Sequence, residues 1–462
     1  MIGAGSAGLI AADFAAHFGA DVLVIERDRV GGDCTWTGCI PSKALLHTAS
    51  VTAQIRRAGA LGVRTSEAEV DFRKLIGQVR AAVGRVYAFE APERLAERGI
   101  RVLRGRARFV DARTLEVDGG RIEGRRFVIC TGARPVLPSI PGLDRVPHIT
   151  YEEVFDLEQL PARLVVLGGG SVGVELAQAF QRLGSQVTLL EKENRLLPMA
   201  DPEAAEILAR RLQSEGIRIA TAVDVEVITS QHGEIRVRSA GVTFTGDLLL
   251  VAVGRAPDLA DLDLGSAGVV FDRLGVKVDE HLQTSRDHIY AAGDAAGSQQ
   301  FTHYAAWQGY IAARNALFPG SERGIAETVP WAVFTDPQIA QVGLSEQEAA
   351  SRGLEFEVYR LPFERVDRAQ TIGALEGFIK LLATASGRLL GATIVGANAS
   401  EVANELSLAM TARLALPVLA RSMHVYPTFG LGIQQLASQF AMRQASRGLR
   451  GKVTRRLAGN RS

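Results

Sequence analysis

Two closely spaced cysteines are the residues of this chain best suited to redox chemistry. Cys34 and Cys39 lie in residues 31–43, whose sequence is GGDCTWTGCIPSK, and the chain of 462 residues has only one further cysteine. A disulfide across so short a loop would stabilise the folded chain by about 2 kcal/mol or less, because it restricts the unfolded chain little. A chain of this length can bury a core large enough to do without it. The spacing therefore predicts a redox-active pair rather than a structural cross-link.

A glycine-rich segment precedes the cysteine pair and predicts a dinucleotide site. Gly3 permits a tight turn, Gly5 lets the backbone approach a pyrophosphate, and Gly8 lets a helix pack closely against a strand. The N-terminus of that helix presents free N–H groups and the positive end of its dipole to phosphates. Glu26 ends the next apolar strand, where a carboxylate can accept hydrogen bonds from ribose hydroxyls.

The same pattern recurs in the middle of the chain and predicts a second dinucleotide site. Its strand, loop glycines and terminal acid are residues 164–167, Gly168, Gly170, Gly173 and Glu191. Two such sites imply that electrons pass between two dinucleotides. Glu191 would accept a hydrogen bond from a free 2′-hydroxyl and repel a 2′-phosphate, which favours NADH. Lys192 and Arg195 lie nearby in sequence and would suit the phosphate of NADPH, so both nucleotides stay open.

These motifs resemble those of the flavoprotein disulfide reductases that bind two dinucleotides, such as dihydrolipoamide dehydrogenase, glutathione reductase and mercuric reductase. Residues 31–43 match the redox motif GGxCxxxGCxPSK of that family. Other family landmarks are matched by residues 130–135, 252–257, 289–294, 334–337 and 391–396. The resemblance implies an α/β fold with two Rossmann-like dinucleotide-binding domains and a C-terminal α+β dimerisation domain. It also implies bound FAD, NADH or NADPH as reductant, and a homodimer.

The resemblance divides the chain into four segments. An FAD-binding domain is expected over residues 1–146 and again over 264–326, with an NAD(P)-binding domain over 147–263 inserted between them. An interface domain with a basic C-terminal tail is expected over 327–462. Within the first segment, residues 71–98 are expected to form one or two long helices.

The resemblance also implies roles for single residues. Cys39 would lie nearer the flavin and form a charge-transfer thiolate, whereas Cys34 would be the accessible interchange thiol. Pro41 suits the first turn of a helix, whose positive end would favour the Cys39 thiolate. Lys43 would lie near the flavin and pair with Glu175, although each is also an ordinary charge for a helix. Further expected cofactor contacts are Gly32, Thr131, Gly132, Gly254, Thr302 and Asp294, the last toward the ribityl chain.

One part of the chain departs from the family. In the lipoamide and glutathione enzymes, a His-Pro and a later glutamate supply the base for dithiol exchange from the partner subunit. Here Tyr426 occupies the histidine position and Leu431 the glutamate position. Tyrosine is a poor base near neutral pH because its pKa is near 10. His424 either replaces the base or is a structural histidine, and we favour the structural role.

Mercuric reductases resemble this chain in having that tyrosine, but they carry a second cysteine pair near the C-terminus. Here no cysteine follows Cys130, which lies in an apolar run and is predicted to be a buried apolar residue. The sequence predicts no resident metal site.

Composition and charge exclude several other classes of protein. A formal net charge of +1 gives no overall attraction to nucleic acid, and three cysteines argue against a disulfide-rich secreted protein. We find no apolar run that would span a bilayer and no signal peptide, so a cytoplasmic protein is expected.

Residues 1–2 are short for a buried strand, so either the true start lies upstream or the strand is poorly anchored. Residues 441–462 hold seven basic and no acidic residues, which favours a solvated tail over membrane or nucleic-acid contact.

The predicted function is that of an FAD enzyme that takes hydride from NADH or NADPH, reduces the Cys34–Cys39 pair and passes electrons to an unassigned acceptor. Hg(II), a small disulfide and a quinone are the candidate acceptors. One alternative is a quinone or diaphorase-type reductase in which the cysteines are incidental. Another is a redox-sensing dimer with little turnover. Cysteine-to-serine variants would identify the first alternative, and a panel of acceptors the second.

Overall fold

The computed structural model describes residues 1–66, 68–297, 299–318 and 320–447. The chain divides into two compact units. The first comprises Met1–Asn194 and Gly216–Ala326, and the second comprises Arg195–Glu215 and the chain from Glu327 onward. The four predicted domain segments stay a prediction, and they do not include the grouping of Arg195–Glu215 with the later residues.

The first unit contains parallel sheets, antiparallel meanders and the helices that follow the glycine loops. Its helices are α1 (Ser6–His17), α2 (Gly32–Trp36), α3 (Cys39–Arg57), α4 (Phe72–Glu90), α5 (Pro92–Glu97), α6 (Ser171–Leu183) and α8 (Thr302–Leu317). Its strands before α6 are β1 (Val22–Glu26), β2 (Ile100–Arg104), β3 (Ala107–Phe109), β4 (Thr114–Val117), β5 (Gly120–Glu123), β6 (Phe127–Ile129), β7 (Ala133–Pro135), β8 (His148–Ile149) and β9 (Arg163–Leu167). The later strands are β10 (Gln186–Leu190), β11 (Arg218–Ala220), β12 (Val227–Gln231), β13 (Glu234–Ser239), β14 (Val242–Gly246), β15 (Leu248–Val251), β16 (Arg255–Pro257), β17 (Phe271–Asp272), β18 (Gly275–Val276) and β19 (Ile289–Ala291).

The first parallel sheet is completed by a single residue. Strand β1 pairs with β2 and β6 pairs with β19, both in parallel. Ile2 joins the two pairs because it bridges Ile25 on one side and Ile129 on the other. All three isoleucines are buried, as parallel strands covered on both faces require. The expected first strand is therefore present as one bridging residue.

Helix α8 packs against α1 at close range, and a glycine makes this possible. A Cβ atom at Gly309 would lie 2.2 Å from the carbonyl oxygen of Ala7, so no larger residue fits there. This packing fixes the N-terminus of α8, where Thr302 is the first residue, relative to the first glycine loop.

The second parallel sheet has the strand order β11-β10-β9-β15-β8. Val165 and Val166 in its central strand are fully buried. Helix α6 follows β9 through the second glycine loop, as the strand-loop-helix pattern predicts. Residues 71–98, expected to be helical, form α4 and α5.

The second unit is built on an antiparallel sheet covered by helices. Its helices are α7 (Pro202–Ser214), α9 (Glu346–Ser351), α10 (Asp367–Ile372), α11 (Ala399–Thr411), α12 (Leu416–Leu419) and α13 (Leu431–Arg447). Its strands are β20 (Trp331–Val333), β21 (Gln338–Gly343), β22 (Glu357–Pro362), β23 (Phe378–Ala383) and β24 (Leu389–Gly396). The strand order is β20-β21-β24-β23-β22, and every residue of β23 and β24 is buried. Residues 448–462 of the basic tail lie outside the described residues, and no described helix is long and apolar enough to cross a membrane.

A buried ion pair holds α7 in the second unit. The Lys380 ammonium lies 2.9 Å from the carboxylate of Asp201, and the two side chains are only 7% and 2% exposed. Glu203 and Glu346 approach the same ammonium at 3.4 and 3.3 Å. Because β23 carries Lys380 and the Asp201 side chain caps α7, this cluster explains why residues 195–215 group with the later chain.

We expect Lys380→Met to destabilise the second unit strongly, because it leaves the Asp201 carboxylate buried without its cation. Loss of one partner of a buried pair costs about 3 kcal/mol or more. The exposed pair Arg210–Glu206 on the same helix provides the control, since Arg210→Met should cost less than about 1 kcal/mol. Urea unfolding of the full chain measures both, and equal losses would contradict a structural role for the buried pair.

Candidate active site

The two glycine loops have the same backbone geometry. Gly3 and Gly168 adopt left-handed φ angles of +99° and +110°. A Cβ atom at Gly8 would lie 2.0 Å from the carbonyl oxygen of Gly3, and one at Gly173 would lie 1.9 Å from that of Gly168. Glycine is therefore required at all four positions, and each helix begins close against its own loop.

The acids that end the next strands also occupy equivalent positions. The amide of Ala4 donates to Glu26 at 2.7 Å, and the amide of Gly169 donates to Glu191 at 2.5 Å. The amide two residues after each acid donates to its other oxygen, at 2.8 and 2.7 Å. Each carboxylate is thus held at the mouth of its loop, where unused lone pairs can accept from a ribose.

The two cysteines lie on neighbouring helices. Cys34 belongs to the short helix α2, and Cys39 is the first residue of α3. The cysteines are not cross-linked. The Cys39 Sγ lies 3.2 Å from the Oγ1 of Thr302 at the start of α8. Cys39 therefore lies at the N-termini of two helices, where N–H groups favour negative charge.

The pKa values of the two thiols move in opposite directions. The hydrogen bond from Cys34 lowers the pKa of Cys39 to about 6, helped by the Thr302 hydroxyl and the Lys43 ammonium. The same bond, together with burial, raises the pKa of Cys34. The pair therefore holds one proton on Cys34 and a negative charge on Cys39 near neutral pH.

An ion pair joins the redox helix to the second dinucleotide fold. The Lys43 ammonium lies 2.8 Å from the carboxylate of Glu175, whose side chain is 7% exposed. Lys43 lies one turn after Cys39 on α3, and Glu175 lies on α6 behind the second glycine loop. From the sequence, Lys43 and Glu175 were either an ion pair or two ordinary helix charges, and in the structure they form the ion pair.

A cavity of about 570 Å³ lies between the first glycine loop and the redox helices. Eight of the residues predicted to contact a cofactor line it, namely Gly3, Gly5, Glu26, Gly32, Thr131, Gly132, Asp294 and Thr302. Three of its lining residues also carry a buried polar atom without a partner among the described residues: Thr37 Oγ1, Thr131 Oγ1 and Arg255 Nε. A polar ligand of dinucleotide size would supply the missing partners, so the cavity fits FAD.

Sequence reasoning missed the groups that support the segment around the cysteine pair, residues 31–39, which we call the redox loop. The Thr35 hydroxyl, 2% exposed as a residue, donates to Glu90 at 2.8 Å from the end of α4. Asp33 binds Arg255, which arrives from a distant part of the chain. The available signal was Asp33 itself, because a charged residue in a loop expected to be buried needs a partner.

The second dinucleotide site contains the remaining predicted contacts. Gly170 faces open space, and Gly254 takes a left-handed φ of +138° directly before Arg255. The Lys192 side chain is 77% exposed. Arg195 donates to the carbonyl oxygens of Pro198 and Ala200, so its guanidinium is already engaged.

Tyr426, which replaces the family histidine, and the nearby His424 are both poorly suited to accept a proton. Tyr426 is 67% exposed, and its hydrogen bond to Asp367 raises its pKa. The ring nitrogens of His424 face the Glu405 carboxylate at 2.7 Å and the Ser422 carbonyl oxygen at 3.2 Å. Both nitrogens of His424 thus face an acceptor on the same chain, and its structural role stays a prediction.

Two further positions, Cys130 and Leu431, behave as expected of their residue types. Cys130 is 5% exposed, and burial raises its pKa to about 12. Leu431 begins α13 and has no polar group to orient a base.

Comparison with known proteins places these features in a family. The family model described as pyridine nucleotide-disulphide oxidoreductase matches residues 1–309, and the model of its dimerisation domain matches residues 329–437. A mercuric reductase of Bacillus cereus is 36% identical over 441 residues, which cover 94% of this chain and 70% of the relative. A dihydrolipoyl dehydrogenase of Thermus scotoductus is 35% identical over 446 residues, which cover 95% of this chain and 96% of the relative.

A solved structure agrees with these matches over nearly the whole chain. The HOCl-induced flavoprotein disulfide reductase RclA from Escherichia coli has a TM-score of 0.86 and 31% identity, covering 95% of this chain and 98% of that one. The same protein has also been solved as a Cu(II) complex.

We expect the two-electron-reduced protein to show a long-wavelength charge-transfer band from the Cys39 thiolate to the flavin. Because the pKa of Cys39 is lowered to about 6, the band should be present at neutral pH and fade as the pH falls through about 6. Anaerobic titration with dithionite across this pH range measures it. Cys39→Ser should abolish the band and Cys130→Ser should not. A band that survives in Cys39→Ser, or a midpoint near the ordinary cysteine pKa of about 8.5, would contradict the assignment.

Proposed function

The chain belongs to the pyridine nucleotide-disulphide oxidoreductase family, and we propose that it passes electrons from NADH through the Cys34–Cys39 pair to a thiophilic metal ion. The family and the relatives make the chain an FAD-dependent, NAD(P)H-driven disulfide oxidoreductase. The residues of the pair, the choice of NADH and the acceptor are the proposed parts.

The placement of Cys39 is the observation that carries the proposal. Its sulfur lies at the first residue of α3 and 3.2 Å from Thr302, and Lys43 adds a positive charge one turn later. When bound, FAD accepts hydride from the nicotinamide and makes its electron pair available to a neighbouring disulfide. Reduction of the pair would leave a thiolate on Cys39, and Cys34 would keep the proton.

A thiophilic metal ion suits this site better than a disulfide substrate does. Thiolate ligands select soft ions such as Hg(II) and copper, and Cys39 is already ionised near neutral pH. A disulfide substrate instead needs a base that moves protons during exchange, but the pKa of Tyr426 is raised and both ring nitrogens of His424 already face acceptors. The mercuric reductases among the relatives and the Cu(II) complex of the Escherichia coli reductase support the same acceptor class.

The assembly proposed is a homodimer, supported by the match of residues 329–437 to a dimerisation domain. Sedimentation of the holoprotein at several concentrations tests this assignment. A monomer at all concentrations would overturn it.

We expect strong reduction of Hg(II) or Cu(II) and of artificial dyes, but little lipoamide turnover. General-base catalysis contributes roughly 10²- to 10⁴-fold, so the deficit with lipoamide should be large. Steady-state NADH oxidation on one preparation measures all acceptors. Cys34→Ser and Cys39→Ser should abolish metal reduction and spare dye reduction, whereas Cys130→Ser serves as the control. Metal reduction that survives in both variants would favour a diaphorase-type enzyme with incidental cysteines.

The double variant Tyr426→His with Leu431→Glu should gain lipoamide turnover.

We expect NADH to reduce the flavin faster than NADPH. Glu191 is only 8% exposed and sits at the mouth of the second loop, where it would repel a 2′-phosphate. Glu191→Gln keeps an acceptor for the Gly169 amide but removes the charge, so it should narrow the preference. Glu193→Gln, an exposed neighbour, is the control. Rapid-mixing flavin reduction measures the ratio, and an NADPH preference in the wild type would show that Lys192 dominates the site.

A further inference from the structure

A cluster of charged groups at the flavin cavity has no role in the chemistry described above. Arg255 Nη2 lies 2.5 Å from the Asp33 carboxylate, and its Nη1 lies 3.3 Å from that of Asp294. The Tyr151 hydroxyl donates to Asp33 at 3.1 Å, and the guanidinium lies 5.3 Å from the centroid of the Tyr151 ring. All four residues belong to the first unit.

The two carboxylates come from opposite ends of the flavin fold. Asp33 lies in α2 directly before Cys34, whereas Asp294 ends the family landmark 289–294 after β19, which we call the second flavin motif. Arg255 reaches both from the strand β16 that follows the second dinucleotide fold. One guanidinium therefore connects the redox loop, the second flavin motif and the exit from the nucleotide domain.

The charge balance of this cluster depends on Arg255. Side-chain exposures of 37% for Asp33 and 11% for Asp294 show that water screens the second acid poorly. Burial raises the pKa of Asp294, and the charge on Asp33 raises it further while Arg255 opposes the rise. Among the other acids that line the cavity, Asp258 and Asp261 have arginine partners of their own, whereas burial and the charge on Asp33 raise the pKa of Glu152.

FAD adds a further constraint, since its pyrophosphate is anionic and must enter the same cavity. An acid at position 33 is unfavourable for an anionic ligand unless a cation neutralises it. Arg255 itself lines the cavity, and its Nε is buried without a partner among the described residues. The guanidinium also donates from Nη2 to the Ala133 carbonyl oxygen at 3.3 Å, so it is fixed at the wall of the cavity as well as bound to both acids.

We propose that Arg255 is a positioning residue that holds the redox loop against the second flavin motif through Asp33 and Asp294, and that it makes Asp33 compatible with bound FAD. The proposal rests on FAD occupying the cavity and is independent of the electron acceptor. Asp33 in turn is the tether that fixes α2, and with it Cys34.

The two partners of the tether should affect FAD binding in opposite ways. Arg255→Gln leaves two carboxylates without their cation, so the dissociation constant for FAD should rise by roughly tenfold or more. Asp33→Asn removes an anion from an anion-binding cavity, so the constant should stay equal or fall. The double variant should bind FAD better than Arg255→Gln alone. Arg101→Gln is the matched control, since it removes an exposed arginine of the same unit whose partner, Asp21, lies outside the cavity, and it should leave FAD affinity unchanged.

Release of the redox loop gives a second readout that does not depend on turnover. Alkylation of Cys34 by iodoacetamide, followed by peptide mass spectrometry on the reduced holoprotein, should be severalfold faster in Asp33→Asn and in Arg255→Lys than in the wild type. If Arg255→Gln does not fold, Arg255→Lys replaces it in the FAD titration. Its FAD affinity should be lower than that of the wild type, but higher than that of a variant without a cation at position 255.

Two results would overturn the proposal. Weaker FAD binding in Asp33→Asn would mean that the pair acts only as structural support. Unchanged Cys34 alkylation in both Asp33→Asn and Arg255→Lys would mean that Asp33 does not tether the loop. Flavin titration and alkylation need neither NADH nor an acceptor, so failure of the proposed acceptor would leave both readouts intact.

Discussion

A negative charge on Cys39 is the constraint on which the rest of this active site depends. A partly buried thiolate is unfavourable unless hydrogen bonds and positive ends of dipoles surround it. Here the Cys34 thiol, the Thr302 hydroxyl and the N-termini of α3 and α8 surround it, with the Lys43 ammonium one turn away. Each of these groups comes from an element that the fold must hold in place, so the packing of α1 on α8 and of α3 on α6 serves the chemistry directly.

The two dinucleotide folds show how one solution has been used twice. Both loops begin with a left-handed glycine, both place a second glycine where a Cβ would collide with the first, and both have an acid that accepts the loop's own amide. The copies differ in what surrounds them. The first faces the redox helices and a cavity with unpaired buried polar atoms, whereas the second ends in the buried Glu191. The shared backbone binds dinucleotides, and these surroundings determine what each dinucleotide can do.

The departures from the family concentrate where protons and charges are handled. Asp33 introduces an acid beside the redox pair, and Arg255 compensates for it from the far side of the nucleotide domain. Tyr426 and Leu431 remove the base for disulfide exchange, and the ring nitrogens of His424 are engaged elsewhere. A site that keeps its thiolate but lacks that base favours an acceptor that binds sulfur directly.

The sequence by itself determined the family and the cofactors and predicted the redox pair and the missing base, because glycine turns, a cysteine spacing and a tyrosine in place of a histidine are local features. Only the tertiary structure decided which distant groups meet. Cys39 and Thr302 are 263 residues apart, and Asp33 and Arg255 are 222 apart. It also decided that residues 195–215 join the second unit, through the ion pair of Lys380 with Asp201. Such contacts depend on how helices and sheets pack, and no local pattern of residue types encodes that packing.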